Sequence, residues 1–372
     1  MELNKKNIEE TLRGIIIPPS KENVLDSKTV LNTQVFGNEV IIDIEISNPT
    51  LQHKKKIEKI FTNYIKSNFD SNVIVKLNYT IKTIEKENKI KGKPIPGVRN
   101  IIAVSSGKGG VGKSTIAANL SVALSKLGYK VGLVDADIYG PSMPIMFDLV
   151  GESPKAVEVD GKKKMKPLEN YGVKMVSMGF FTQANQAIVW RGPMASKALN
   201  QLIWDSHWDE LDYLIVDLPP GTGDIHLSLV QSIPLTGAIV VSTPQDIALA
   251  DARKGVSMFK MDSIDVPVIG IIENMSFFTP IESPSTKYYI FGKDGAKNLA
   301  EKLDVNLLAQ IPIVQSLREA SDAGRPAVLQ SNTEISNSFI NLAEKVVKVV
   351  DERNLSLPST KSVKITNMKG CS

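Results

Sequence analysis

The chain has 372 residues, with 44 basic and 40 acidic side chains for a net charge of +4, and 42% of its residues are hydrophobic. This length suits two domains, or one large domain with an appendage. Near-balance of charge gives no electrostatic case for nucleic acid, no apolar run of about eighteen residues supports a membrane span, and one cysteine (Cys371) with three histidines leaves no disulfide, no C-x-x-C and little material for a zinc site.

The first residues, Met1 to Lys6, carry no apolar signal core, so a cytoplasmic protein is expected. Asn4 to Arg13 suits a short helix ending before Pro18 and Pro19. Gly37-Asn38 marks a turn, and Ile42, Ile44 and Ile46 then alternate with acidic residues as a half-buried strand. Ile57, Ile60, Phe61, Tyr64 and Ile65 repeat at helical spacing, and Val73, Val75 and Leu77 form another strand. Residues 1–82 thus read as a small α+β domain. Residues 83–99 are charged and rich in Pro and Gly, the composition of a linker. From residue 100 to 352, apolar runs at 131–134, 213–216, 237–241 and 266–272 alternate with helical patterns. These are βαβ units, and the fold class is α/β with a mostly parallel sheet flanked by helices. Residues 353–372 are polar and aperiodic and read as a tail.

The most informative stretch is Gly107, Lys108, Gly109, Gly110, Val111, Gly112, Lys113, Ser114 and Thr115. It fits the phosphate-loop pattern G-x-x-x-x-G-K-[ST], between an apolar strand (101–106) and an amphipathic helix that begins at Lys113. The glycines allow backbone turns that bring N–H groups onto phosphate oxygens at a helix N-terminus. Lys113 is expected on the β- and γ-phosphates and Ser114 on Mg²⁺, so the ligands are ATP and Mg. Ligands of such sheets sit at the carboxyl ends of the strands. There the chain places Asp135 and Asp137 after one apolar run, and Asp217 after another, followed by Pro219-Pro-Gly-Thr-Gly223. Asp217 and Asp135 are read as Mg-site acids. The Pro/Gly segment is read as a switch loop that senses the γ-phosphate. Asn274 closes a strand and could match an adenine edge. Lys108 could reach the γ-phosphate of a facing subunit and neutralise transition-state charge, as an arginine finger does. Plainer readings stay open: helix caps for the acids, a turn for Asn274, a solvated side chain for Lys108.

These residues, together with Asp135 to Pro144, Arg191-Gly-Pro-Met194, Asp217 to Asp224 and Glu273-Asn-Met-Ser276, resemble the Mrp/ApbC-type ATPases over residues 98–350. That group belongs to the deviant-Walker-A class with the MinD and ParA proteins. The resemblance implies a P-loop NTPase fold and a cytoplasmic homodimer that hydrolyses ATP. It also implies transfer of iron–sulfur clusters to apoproteins, and thus clients and assembly proteins as partners, with neither nucleic acid nor membrane. It gives Lys113, Lys108 and Asp137 the roles of phosphate lysine, cross-subunit lysine and switch I acid that positions water. Residues 1–82 resemble a small domain found alone in iron–sulfur assembly factors.

Two features depart from that pattern. The family's C-x-x-C follows the Asn-Met-Ser motif, but residues 277–291 contain no cysteine, and none stands near Pro49. A four-thiolate cluster would then draw on Cys371 alone, two thiolates per dimer. A nucleotide-switched adaptor without its own cluster is therefore the alternative. A MinD/ParA-like positioning ATPase fits less well, because the C-terminal segment lacks a sustained apolar stripe. The aromatics of 277–291 are read as core, with contact to a client as the other possibility.

Overall fold

The computed structural model describes residues 3–17, 22–27, 29–46, 51–70, 72–81, 95–181, 192–280, 282–283 and 285–356. Two compact units divide the chain, Met1–Asn88 and Lys89–Ser372. Among the described residues, no helix is long and apolar enough to cross a membrane.

The first unit contains α1 (Lys5–Leu12), β1 (Val30–Phe36), β2 (Glu39–Ile46), α2 (Leu51–Asn68) and β3 (Ile74–Ile81). Asn4 caps α1 by accepting from the Asn7 N–H at 2.9 Å. β1 and β2 form an antiparallel hairpin through Gly37, whose φ is 57°. β2 and β3 pair in parallel, so α2 is the crossover that such a pair requires. Val40, Ile42, Ile44 and Ile46 point from one face of β2 into a core with Ile8, Leu12, Ile57, Phe61 and Ile65.

The second unit runs β4 (Val98–Ser106), α3 (Lys113–Lys126), β5 (Val131–Asp135), α4 (Met143–Met146), β6 (Lys155–Val159), β7 (Lys162–Lys166), β8 (Leu168–Asn170) and β9 (Val173–Ser177). It continues with α5 (Gly192–Trp204), β10 (Leu211–Asp217), α6 (Asp224–Ser232), β11 (Gly237–Ser242), α7 (Asp246–Phe259) and β12 (Val268–Phe278). It ends with α8 (Gly295–Leu303), β13 (Leu307–Ile313), α9 (Gln315–Asp322) and α10 (Glu334–Ser356). The main sheet has the order β13-β12-β11-β4-β10-β5-β9-β8. All its neighbours pair in parallel except β8 with β9. Alternate residues of each central strand enter opposite cores. Ile102 and Val104 face the layer of α3 and α10, while Ile101 and Ala103 face that of α5 and α7. Burial on both faces explains why these strands read as continuous apolar runs.

Two boundaries and one burial reading differ from expectation. Val98 and Arg99 belong to β4 rather than to a linker, because the chain pairs with β10 from Leu211↔Val98 onward. Residues 353–356 continue α10, with Asn354 donating to the Asn100 side chain at 2.9 Å. Tyr288, Tyr289 and Ile290 are not core: they are 54%, 39% and 61% exposed. They stand at an antiparallel bridge between Phe278 and Tyr288 at the end of β12. The remaining linker positions through 94, the tail from 357 with Cys371, the segment around Pro49, Pro18-Pro19 and Arg191 lie outside the described residues.

Candidate nucleotide site

β4 sits where the sheet's connections change side, with β10, β5 and β9 to one side and β11, β12 and β13 to the other. Its carboxyl end is the switch point at which α/β sheets place ligands. The phosphate loop leaves β4 there and enters α3. Gly110 and Gly112 have φ of 80° and 81°, left-handed values that glycine tolerates best. Gly112 is the N-cap of α3 and provides no side-chain cap, so the first N–H groups of α3 are free to take an anion.

Register brings the acids together. Asp217 on β10 lies beside Asp135 on β5 and beside Val104 on β4. Both carboxylates are fully buried. The Lys113 ammonium donates to Asp217 Oδ1 at 2.7 Å and to Ser114 Oγ at 3.3 Å. The Ser114 hydroxyl donates to Asp217 Oδ2 at 2.6 Å. Asp137 Oδ2 is 3.9 Å from the same ammonium. Lys113, Ser114, Asp137 and Asp217, separated by up to 104 positions in the chain, thus form one polar cluster under the loop. Burial raises the Asp137 pKa above the usual carboxylate range, and Lys113 opposes that shift.

Asp135 is held by hydrogen bonds from β9 and from the loop that follows β5. Its Oδ2 accepts from Ser177 Oγ at 2.8 Å and from the Met143 N–H at 3.2 Å, and its Oδ1 accepts from the Asp137 N–H at 3.3 Å. The carboxylate therefore ties down the loop 136–143 that carries Asp137. Burial, reinforced by the charge of Asp217, pushes its pKa up to about 7. Asn274 lies in β12 beside the phosphate loop. It is buried, and its amide donates to the Val111 carbonyl at 2.9 Å. One of its two amide N–H groups is thus engaged with the phosphate loop, which Asn274 props.

Lys108 lies on the outer limb of the loop, with its carbonyl accepting from Ser106 Oγ at 2.8 Å. Its side chain has no ion pair among the described residues. Gly107 admits no side chain, because a Cβ there would stand 2.2 Å from the Asp251 backbone in α7. The switch loop after Asp217 is tied to β4, since the Leu218 N–H donates to Val104 O at 3.0 Å and the Gly221 N–H to Ser106 O at 2.8 Å.

Two contributors escaped the sequence. Ser177 ends β9 and holds Asp135 while accepting from the Gly179 N–H at 2.9 Å. Its strand is short and half polar, so no motif marks it. His226, buried in α6, donates from Nδ1 to the Pro219 carbonyl of the switch loop at 3.1 Å. Among the described residues, its Nε2 is buried without a hydrogen-bond partner. Desolvation lowers its pKa to about 4, so the ring stays neutral. A lone histidine one turn into the helix after the switch loop was the available signal.

An oxygen donor set of Ser114 and Asp217 suits a hard cation such as Mg²⁺. Among the described residues, no three His, Cys, Asp or Glu side chains converge as a metal cage. A Mg²⁺ shared with phosphates does not need one, because it takes one or two protein ligands and completes its shell with water and phosphate oxygens.

The sequence model of the ParA-type NUBPL iron-transfer P-loop NTPases matches residues 97–347. The chain is 49% identical over 263 residues to the iron-sulfur cluster carrier protein of Aquifex aeolicus, covering 70% of this chain and 71% of that one. It is 40% identical over 344 residues to the protein of the same name from Haemophilus influenzae, covering 92% and 91%. Among solved structures, the nucleotide-binding protein of Archaeoglobus fulgidus in complex with ADP matches with a TM-score of 0.55 and 35% identity, over 63% of this chain and 90% of that one. The chain belongs to the NUBPL iron-transfer P-loop NTPase family.

Proposed function

We propose that this chain is a Mg²⁺-dependent ATPase that works as a cytoplasmic homodimer and carries iron–sulfur clusters to apoprotein clients. The contact of Lys113, Ser114 and Asp217 beneath a glycine loop carries the ATPase reading. The names of the relatives support the cargo. Lys113 exchanges its Asp217 partner for the β- and γ-phosphate oxygens. Ser114 and Asp217 are the residues that would hold Mg²⁺, which supplies charge neutralisation on the phosphates. Asp137 orients the attacking water, and burial keeps its carboxylate a better proton acceptor than an exposed one. The water oxygen bonds to the γ-phosphorus as the bond to the bridging oxygen breaks, leaving ADP and phosphate. Lys108 reaches the opposite subunit's γ-phosphate and stabilises the charge that spreads in that transition state.

Mixed dimers test this arrangement. Lys108→Ala should lower turnover by about 10³-fold while ATP binding persists. Asp137→Ala should also slow turnover. Mixing the two inactive variants should restore activity, because one of the two composite sites then has both intact residues. No recovery on mixing, with dimers verified by scattering, would remove Lys108 from the opposite site.

One observation favours a second reading. Residues 277–291 contain no cysteine, and the chain's single thiol is Cys371. An adaptor ATPase that binds clients without holding a cluster accounts for that. Iron and sulfide analysis of protein purified without oxygen separates the two. Bound cluster that disappears in Cys371→Ser supports the carrier, and iron-free protein with full turnover supports the adaptor.

A further inference from the structure

Helix α6 begins directly behind the switch loop, and its third residue is the buried His226, whose Nδ1 donates to the Pro219 carbonyl at 3.1 Å. That carbonyl has a special place in the chain. Pro219 and Pro220 carry no N–H, so between Leu218 and Gly221 the backbone can be held only through its carbonyls. The amides on either side are bonded to β4, Leu218 N–H to Val104 O at 3.0 Å and Gly221 N–H to Ser106 O at 2.8 Å. His226 supplies a third tie, on the peptide that joins the two prolines.

Packing alone does not account for a histidine here. The Pro219 carbonyl can only accept, so the proton sits on Nδ1 and Nε2 is the ring's acceptor. Among the described residues, that acceptor has no hydrogen-bond partner. The ring stands 6.0 Å from that of Phe259 on α7, a member of the apolar cluster on that face of the sheet. A leucine or methionine would fill the same space without an unpaired nitrogen. The bond to Pro219 is what the imidazole adds. The same neighbours reach the phosphate loop. Ser106, whose carbonyl takes the Gly221 N–H, donates from Oγ to Lys108 O at 2.8 Å. On α7, the Asp251 backbone is so close to Gly107 that a Cβ there would stand 2.2 Å away. His226 therefore stands between the switch loop and a helix that abuts the phosphate loop.

We propose that His226 is a positioning residue for ATP hydrolysis: by holding the Pro219 carbonyl it makes the Pro219–Pro220 peptide a fixed pivot, from which residues 221–223 close on the γ-phosphate. Pro219 is buried and both prolines are rigid, whereas Gly221 and Gly223 flank an exposed Thr222, so conformational freedom lies beyond the pivot. The inference rests on the ATPase reading. It requires a loss in the rate of turnover rather than in ATP affinity, because the bond lies outside the contacts of the phosphate loop itself.

The test uses the full chain. His226→Leu and His226→Met fill the space without a donor, and two such variants guard against one that misfolds. His226→Asn keeps an N–H donor at the position of Nδ1. In the donor-free variants kcat should fall about tenfold or more, in keeping with a lost buried hydrogen bond, with KM and ATP affinity by equilibrium dialysis within about twofold of the parent. His226→Asn should recover kcat to within about threefold of the parent. Amide hydrogen exchange without nucleotide gives a readout independent of turnover. The Gly221 amide should exchange about tenfold faster in the donor-free variants and at the parental rate in His226→Asn. Leu229→Ala, which removes buried apolar packing from the same helix, should lower the melting temperature and leave kcat and Gly221 exchange unchanged. A donor-free variant with kcat at or above the parental value, a loss confined to KM, no recovery in His226→Asn, or an equal loss of kcat in Leu229→Ala would each overturn the proposal. If the parent hydrolyses no ATP while the exchange pattern is as expected, the ATPase reading fails and the hold of His226 on the loop stands.

Discussion

Gly112 is constrained twice. Its φ of 81° disfavours any residue with a side chain, and a Cβ there would stand 2.2 Å from the Asn274 amide nitrogen. Left-handed backbone alone costs a non-glycine residue about 1–2 kcal/mol. The clash adds to that and pushes Asn274 off the Val111 carbonyl. Gly112→Ala is therefore expected to abolish ATP binding in equilibrium dialysis. Asn274→Ala should only loosen the loop, weakening affinity by about tenfold, in keeping with a lost buried hydrogen bond. Binding in Gly112→Ala as tight as in the parent would show that the loop does not need this conformation. The glycine's importance was legible from the pattern, but its neighbour was not, because Gly112 and Asn274 are 162 positions apart and only strand order brings them together. His226 was illegible for a related reason. Its bond to Pro219 depends on how the switch loop folds back, which spacing does not reveal. Its pH signature follows from its burial. The folded pKa of about 4 lies below the ordinary value of 6.5, so the native state binds fewer protons than the unfolded chain between them. The stability contributed by the neutral ring is complete above pH 6.5 and is lost as pH falls toward 4. Asp135, held near 7 in the fold, acts in the opposite sense across that range. The informative quantity is thus a difference. His226→Asn, which retains a donor for Pro219, should lose less stability than the parent between pH 6.5 and 4.5 in urea unfolding. Parallel curves would show that the histidine does not titrate as its burial requires.

At the scale of elements, α3 shows how a buried helix differs from the amphipathic one expected. Its residues from Ile116 to Leu124 are all buried, between the sheet on one side and α10 on the other. The polar members of that run have specific partners. Asn119 Oδ1 accepts from the Val328 N–H at 3.0 Å, and its amide donates to Thr115 O at 2.9 Å. Val328 O in turn accepts from Lys126 Nζ at 2.8 Å and from Ser336 Oγ at 2.7 Å. One short segment before α10 is thus bonded to both helices. Asn119→Leu would leave the Val328 N–H buried and unpaired and should lower unfolding stability by about 1–3 kcal/mol. A loss near zero in urea titration would mean that the segment relaxes to water. The elements missed in the sequence have the opposite character. β6 and β7 are an exposed, lysine-rich hairpin in which Lys155 faces Lys166 and Glu158 faces Lys163. Apolar alternation is limited to Val157 and Val159 of β6, so the turn was the stronger signal. Asp160 and Gly161 have φ of 51° and 72°, the paired left-handed values that an Asp-Gly hairpin turn supplies.

On the scale of the whole molecule, the chain contains separate cores, and their independence is a physical claim. Residues of the first unit pack among themselves, with Phe61 fully buried against Ile42, Ile44 and the helices above them in the same apolar cluster. The phosphate loop, its acids and the switch loop all belong to the second unit, whose apolar clusters draw only on residues from 95 onward. Deleting a buried phenylalanine side chain costs about 3–5 kcal/mol. That is a large fraction of the stability of a domain of this size, in which a small core leaves little reserve. Phe61→Ala should therefore unfold the first unit at a much lower temperature while the second melts as before. Calorimetry of the full chain would show one transition moved and one fixed. Basal ATP turnover, which in the proposed mechanism depends on Lys113, Asp137 and Asp217, should be unchanged at temperatures where only the first unit has melted. If turnover fell in step with the first transition, the two units would be thermodynamically coupled. The small unit would then act on the nucleotide site rather than merely accompany it.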